Sequence, residues 1–248
     1  MGNPMIVVVG AGPGVGASVA RQFGGKGYDV ALVSRSEDAL SSLGKTLQSE
    51  GITTGWRALD ITDEDALRAA VERFAGTAGR LDVLHFNPSA FTHKDPLALS
   101  VDDLLADVRL GVAPLLTLVQ AARPFLQRGA RIVATGSAAA DRPWNEAASL
   151  GVQKAGLRNL IRSIDTTLAT DGIRAVSVTV NGTLERGTAF DPDRVAEALY
   201  AARVNHLPED EDHRTPWERG SDHEELLAYE RNMMVTSAAN MRAIGLME

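Results

Sequence analysis

The chain has 248 residues, 44% of them hydrophobic and 23% charged, which is enough for one full-sized core. Its net charge of −7 offers no footprint for nucleic acid or an anionic membrane surface. The absence of cysteine excludes a disulfide scaffold, a thiolate nucleophile and any cysteine-ligated metal site. No apolar run approaches the length needed to cross a bilayer and the opening residues carry no leader-like segment, so a cytoplasmic protein is expected.

In chain order, β-rich apolar runs alternate with helical stretches. Strands are expected at 5–9, 30–33, more weakly 53–58, then 81–86, 131–134 and 173–180. Helices are expected near 15–26, 37–50, 63–78, 101–128, 146–170 and 191–203. The strands are apolar without clean alternation, as in parallel strands buried on both faces. Strict alternation of strand and helix implies βαβ units and a doubly wound parallel α/β sheet, in the order 3-2-1-4-5-6. Asp63, Glu64 and Asp65 put acid at the start of one helix. Gly51 and Gly172 follow two others, where a left-handed residue is wanted. Beyond 203 an acidic, loop-like stretch precedes a last helix near 222–243. Residues 1–203 thus read as one α/β domain and 204–248 as a short helical tail docked on it.

The first strand runs into Gly10-Ala11-Gly12-Pro13-Gly14-Val15-Gly16 and then a helix. Glycine is needed where backbone bends sharply or approaches a diphosphate, and a helix start offers that diphosphate unpaired N–H groups. The turn could also serve only to pack helix on strand. At the end of the second strand, an NAD site wants a carboxylate for the adenine-ribose hydroxyls. Position 34 is Ser and Arg35 follows, a guanidinium able to grip a 2′-phosphate, so NADP(H) is favoured over NAD(H) unless Arg35 is merely solvated.

With these residues placed, the sequence resembles the short-chain dehydrogenase/reductase family over roughly residues 5–200. Gly10, Gly14 and Gly16 match its glycine turn, with Gly12 and Val15 inside the same cofactor loop, and Asp60 matches the Asp that meets the adenine. Asn87 is what remains of its Asn-Asn-Ala-Gly stretch. Ser137 falls on the catalytic Ser, and Leu150-Gly151-Val152-Gln153-Lys154 on the Tyr-x-x-x-Lys motif. Lys154 is present; Leu150 stands where the family has Tyr, and the chain's three tyrosines, Tyr28, Tyr200 and Tyr229, lie far away in sequence. The family's Asn in the helix before the fifth strand is also missing, with Arg109 or Leu110 in that region, and its last strand has no counterpart. The resemblance implies a three-layer Rossmann fold, a bound NADP(H), a small-molecule substrate, and a homodimer or homotetramer built on the helices near 101–128 and 146–170.

Several residues admit two readings. Lys154 lies on or beside an apolar stripe formed by Leu150, Leu157, Ile161, Ile164 and Leu168, with Glu146 a turn earlier. It either snorkels outwards or points into the cleft toward the ribose hydroxyls, as the resemblance implies. Ser137 is a donor to a substrate carbonyl or a satisfied turn hydroxyl. His85 reads as a packing residue, His93 as a loop residue within reach of substrate, and Trp144 as lining the substrate side or packing beneath the tail. The tail histidines, His206, His213 and His223, fit no metal-site spacing. Three functions follow: an NADP(H)-dependent oxidoreductase acting on a carbonyl with its usual acid missing, a nucleotide-binding sensor or partner subunit without chemistry, or a non-redox cyclase or lyase.

Overall fold

The structure is a computed structural model and describes residues 2–204. The expected tail helix, the tail histidines and Tyr229 lie outside the described residues. Six parallel strands, β1 (Met5–Val9), β2 (Asp29–Ser34), β3 (Thr54–Ala58), β4 (Leu81–Phe86), β5 (Leu126–Ser137) and β6 (Arg174–Val180), form one sheet. Their order is β3-β2-β1-β4-β5-β6, as the alternation of elements required. Among the described residues, seven α-helices cover it: α1 (Val15–Gly24), α2 (Glu37–Ser49), α3 (Glu64–Ala78), α4 (Val101–Gly111), α5 (Ala113–Ala122), α6 (Ala148–Leu168) and α7 (Pro192–Val204).

Successive side chains of a strand point to opposite faces, and β1 shows what that does when both faces are covered. Val7 and Val9 join Leu84, Phe86, Leu115, Leu118, Leu157 and Ile161 in the core beneath α3, α5 and α6. Ile6 and Val8 join Val19, Phe23, Leu40, Leu47 and Leu199 beneath α1, α2 and α7. Helix ends are fastened locally. Ser36, Asp63 and Ser100 each accept a hydrogen bond from the backbone N–H three residues on, at 3.2, 3.0 and 3.1 Å. Gly51 and Gly172 adopt φ of +84° and +72°, the left-handed geometry expected of them.

Two expected elements are corrected. The helix near 101–128 is two helices, α4 and α5, separated at Val112, whose φ of −131° and ψ of −56° are not helical. Pro114 in the first turn of α5 is the cause: it supplies no N–H to the preceding turn and its ring disfavours helix before it. The fifth strand, expected at 131–134, runs from Leu126 to Ser137. It pairs Leu81 with Leu126 and then Val83 with Arg131, an irregular register that brings Gly129 to φ +94°.

The stretch Val101–Phe125 also contains an apolar window of mean hydropathy 1.5, long enough in sequence to cross a membrane, where none was expected. Broken at Val112, it forms helices of 11 and 10 residues, each too short to span. Leu115, Leu118 and Ala122 lie in the core.

Candidate active site

The carboxyl ends of β1, β4 and β5 lie side by side, and the switch of strand order between β1 and β4 is where a doubly wound sheet leaves a crevice for ligands. At its β1 end the glycine turn is set by the chain itself. Gly10 has φ +84°, and the N–H groups of Gly10 and Ala11 both donate to Val33 O, at 2.9 and 3.1 Å. A Cβ at Gly10 would lie 3.0 Å from Pro88 N, and one at Gly16 only 2.5 Å from Gly10 O. Gly12 and Gly14 differ: a Cβ on either would meet nothing within 4 Å. They border open space, and α1 starts there at Val15, with no side-chain cap and no acid in its first turn. Its leading N–H groups and its positive end therefore face that space, which fits a diphosphate. Asn87 braces the turn, its Nδ2 donating to Gly10 O at 3.0 Å and its backbone N–H to Val9 O at 2.9 Å.

Farther along, Ser34 closes β2 and Arg35 is exposed beside it. Asp60 accepts hydrogen bonds from the Thr62 N–H at 2.9 Å and hydroxyl at 2.8 Å. Those two bonds, and then the nearby charges of Arg35 and Arg109, hold its carboxyl below the usual range.

At the β5 end, Ser137 is half-buried and its Oγ accepts from Ala139 N–H at 3.2 Å, which leaves the hydroxyl proton free to donate elsewhere. Lys154 points inward. It is 4% exposed, and its Nζ donates to Thr135 O at 3.2 Å and Pro88 O at 3.4 Å, at the ends of β5 and β4. Burial pushes its pKa down to about 8. Leu150 is half-buried one turn earlier on α6. Glu146 is exposed in the turn before α6 and does not share the buried stripe.

His85 is wholly buried, its Nε2 3.1 Å from Thr135 Oγ1, and burial lowers its pKa to about 3, so the ring is neutral. His93 and Phe91, in the loop after β4, pack edge-on at 4.8 Å, and Trp144 closes the cluster at 5.5 Å from the His93 ring. Trp144 also lines an apolar cavity of about 440 Å³ with Pro96, Leu99, Leu104 and Val152. Among the described residues no group of acidic and histidine side chains could hold a metal.

A model of the short chain dehydrogenase family matches residues 4–190. A curated cis-4-hydroxycyclohexanecarboxylate dehydrogenase of Sinomonas cyclohexanicum is 33% identical over 177 residues, 69% of this chain and 70% of that protein. The chain belongs to the short chain dehydrogenase family. A crystal structure of a short chain dehydrogenase from Burkholderia cenocepacia in complex with NADP superposes with a TM-score of 0.74 at 27% identity, covering 81% of this chain and 90% of that one. A metagenomic short-chain oxidoreductase, also in complex with NADP, shares the fold at a TM-score of 0.74 and 24% identity, over 82% and 91% of the two chains. The protein is accordingly an oxidoreductase of this type by family.

In this short chain dehydrogenase the side chains around Lys154 are the next feature of the site. Position 150 is Leu, and neither described tyrosine is near it. Tyr28 and Tyr200 pack on Phe23, with ring centroids 5.3 and 5.0 Å away, on the α1 and α7 side of the sheet. A second feature escaped sequence reasoning. Gln153, fully buried beside Lys154, donates through Nε2 to Ala90 O and Asp107 O, both at 2.7 Å, and accepts from the Ser89 hydroxyl at 3.3 Å. Buried Asp107 and Ser149 then hold Thr92 N–H at 2.9 and 3.2 Å. Gly111 is required by the same network, since a Cβ there would lie 2.1 Å from Gln153 Cδ. Together these bonds fix the loop that carries Phe91 and His93. The available signal was a Gln and a Ser at core positions of an otherwise apolar helix face.

Proposed function

We propose that this chain is an NADP(H)-dependent oxidoreductase interconverting a carbonyl group and an alcohol on a small molecule. The observation that carries the reading is the open cradle at Gly12 and Gly14, which no contact within the protein explains and a diphosphate does. Gly10, Val15, Gly16 and Asn87 shape that cradle, Asp60 faces the adenine, and Arg35 takes the 2′-phosphate. Lys154 lies beside the nicotinamide ribose, and Ser137 gives a hydrogen bond to the carbonyl oxygen. When bound, the dinucleotide supplies or accepts the hydride. The NADP in the related crystal structures supports the cofactor, and the curated relative's name makes alicyclic alcohols and ketones the first substrates to try. A second reading, a dinucleotide-binding protein without turnover, is favoured by Leu150 together with the Asn missing before the fifth strand.

The test is titration of NADPH and NADH against wild type and Arg35→Ala, followed by turnover of a ketone panel. NADPH should bind more tightly, and Arg35→Ala should weaken it by roughly 10- to 100-fold, the loss of one charge-assisted contact. Equal affinities in the wild type would remove the cofactor assignment. We also propose a homodimer or homotetramer through the outer faces of α4 and α6, where Val101, Leu105 and Val152 are exposed. Light scattering that returns a monomer at micromolar concentration rejects this assembly.

A further inference from the structure

We propose that Lys154 is itself the proton donor of this enzyme, delivering its Nζ proton to the carbonyl oxygen held by Ser137. The proposal rests on the reading of the chain as a carbonyl-reducing oxidoreductase.

A buried cation is ordinarily paired with a carboxylate, because an isolated charge at that depth is costly. Lys154 has two backbone carbonyls instead, at 3.2 and 3.4 Å, and no carboxylate partner among the described residues. An ammonium has three N–H donors, so one remains for the crevice. Its acceptors, Thr135 O and Pro88 O, mark the ends of β5 and β4, and Ser137 lies two residues beyond Thr135.

Burial alone accounts for the pKa of about 8, a value at which an acid is protonated near neutrality yet gives up its proton readily. The titratable groups on the surrounding elements are engaged elsewhere. His85 on β4 meets Thr135, Asp107 on α4 accepts from Thr92, and Asp141 after β5 is paired with Arg158 of α6. None of them acts on Lys154 as a charge.

Other donors fail on position. Tyr28 and Tyr200 are on the far side of the sheet, Glu146 is at the surface, and His85 is a neutral imidazole, whose remaining N–H is a very weak acid. His93 is exposed, with its ring packed against Phe91 and Trp144. In the balanced step the carbonyl takes a hydride on carbon, supplied by a reduced nicotinamide dinucleotide, and a proton on oxygen. The N–H bond of Lys154 breaks as the O–H bond forms, and the neutral amine regains a proton from water.

Two measurements decide. The chain has four lysines, so NMR of ¹³Cε-labelled lysine can follow each one in the cofactor-free protein, with Lys154→Gln giving the assignment. A midpoint near pH 8 is expected; one at the ordinary value of 10.5 overturns the proposal. With saturating NADPH and cyclohexanone, the single-turnover rate should fall about tenfold per pH unit above that midpoint, while NADPH affinity, read by fluorescence, stays level. Lys154→Gln should lose roughly 10²-fold or more in rate and lose the pH dependence. A rate that holds level from about pH 7 to 10, or a variant within about tenfold of wild type, overturns it. If Lys154→Gln does not fold, the two wild-type titrations still decide. Failure to bind NADPH removes the functional reading instead, whereas binding without turnover of cyclohexanone or hexanal removes the donor role and leaves the dinucleotide site standing.

Discussion

At the β1 end of the crevice the requirements fall on the backbone, and at the β5–α6 end they fall on side chains. Gly16 can carry no side chain because Gly10 O would lie 2.5 Å away, and Gly10 occupies a φ that favours glycine. Leu150, by contrast, fits its helix as well as many apolar residues would, and whether it can donate a proton does not concern the fold. A requirement on the backbone is enforced each time the chain folds, whereas a requirement on a side-chain functional group is enforced only by the reaction. The first half of this site is therefore held by the fold itself, and the second only by the chemistry it serves.

The largest effect that would test this contrast is at Gly16. Gly16→Val should destabilise the protein by about 3 kcal/mol or more, since backbone atoms, not a flexible side chain, must give way. Thermal or urea unfolding checks it, and a variant of wild-type stability would break the distinction between the two halves.

Next in size is the cost of burying Lys154 without an anion. Between pH 8 and 10.5 the folded protein has released a proton that the unfolded chain still holds, so stability should rise with pH across that window, by up to about 3 kcal/mol. Comparison with Lys154→Met isolates the term: the variant should lack this rise, and parallel stability curves would mean that the ammonium is not desolvated. His85, neutral with a pKa near 3, has the same sign at lower pH, its stability contribution being lost as pH falls below about 6.5.

A phenol restored at the side-chain half sharpens the comparison from the other direction. Leu150→Tyr places it one helical turn before Lys154 and should raise ketone reduction by about 10²-fold, with Ser137→Ala in that background removing the gain. No change in rate would show that position 150 does not face the reacting group. The smallest effect belongs to Gly12→Ala. Since its Cβ meets nothing within 4 Å, stability should stay within about 0.5 kcal/mol of wild type while NADPH affinity drops roughly tenfold. Unchanged affinity would mean that the cradle is not where the diphosphate lies.

Much of the fold was legible because its signals are local. Apolar runs such as MIVVV at 5–9 mark strands buried on both faces, Asp63 caps its helix, and Gly51 ends one. The glycine turn was legible for the same reason, since strand, turn and helix are contiguous. The break at Val112 was missed although Pro114 stands beside it, because a proline in the first turn of a second helix leaves the apolar pattern of 101–125 unbroken.

The sequence by itself determined the order of elements, the sheet topology they imply, the glycine turn and the absence of a tyrosine at position 150. Only the tertiary structure decided which way Lys154 points and what Gln153 holds. The acceptors of Lys154 come from 19 and 66 residues away, and those of Gln153 from 46 and 63. A helical period states that such a residue lies on the inner face, but whether a polar side chain there is tolerated depends on the carbonyls that distant strand ends and loops bring to meet it.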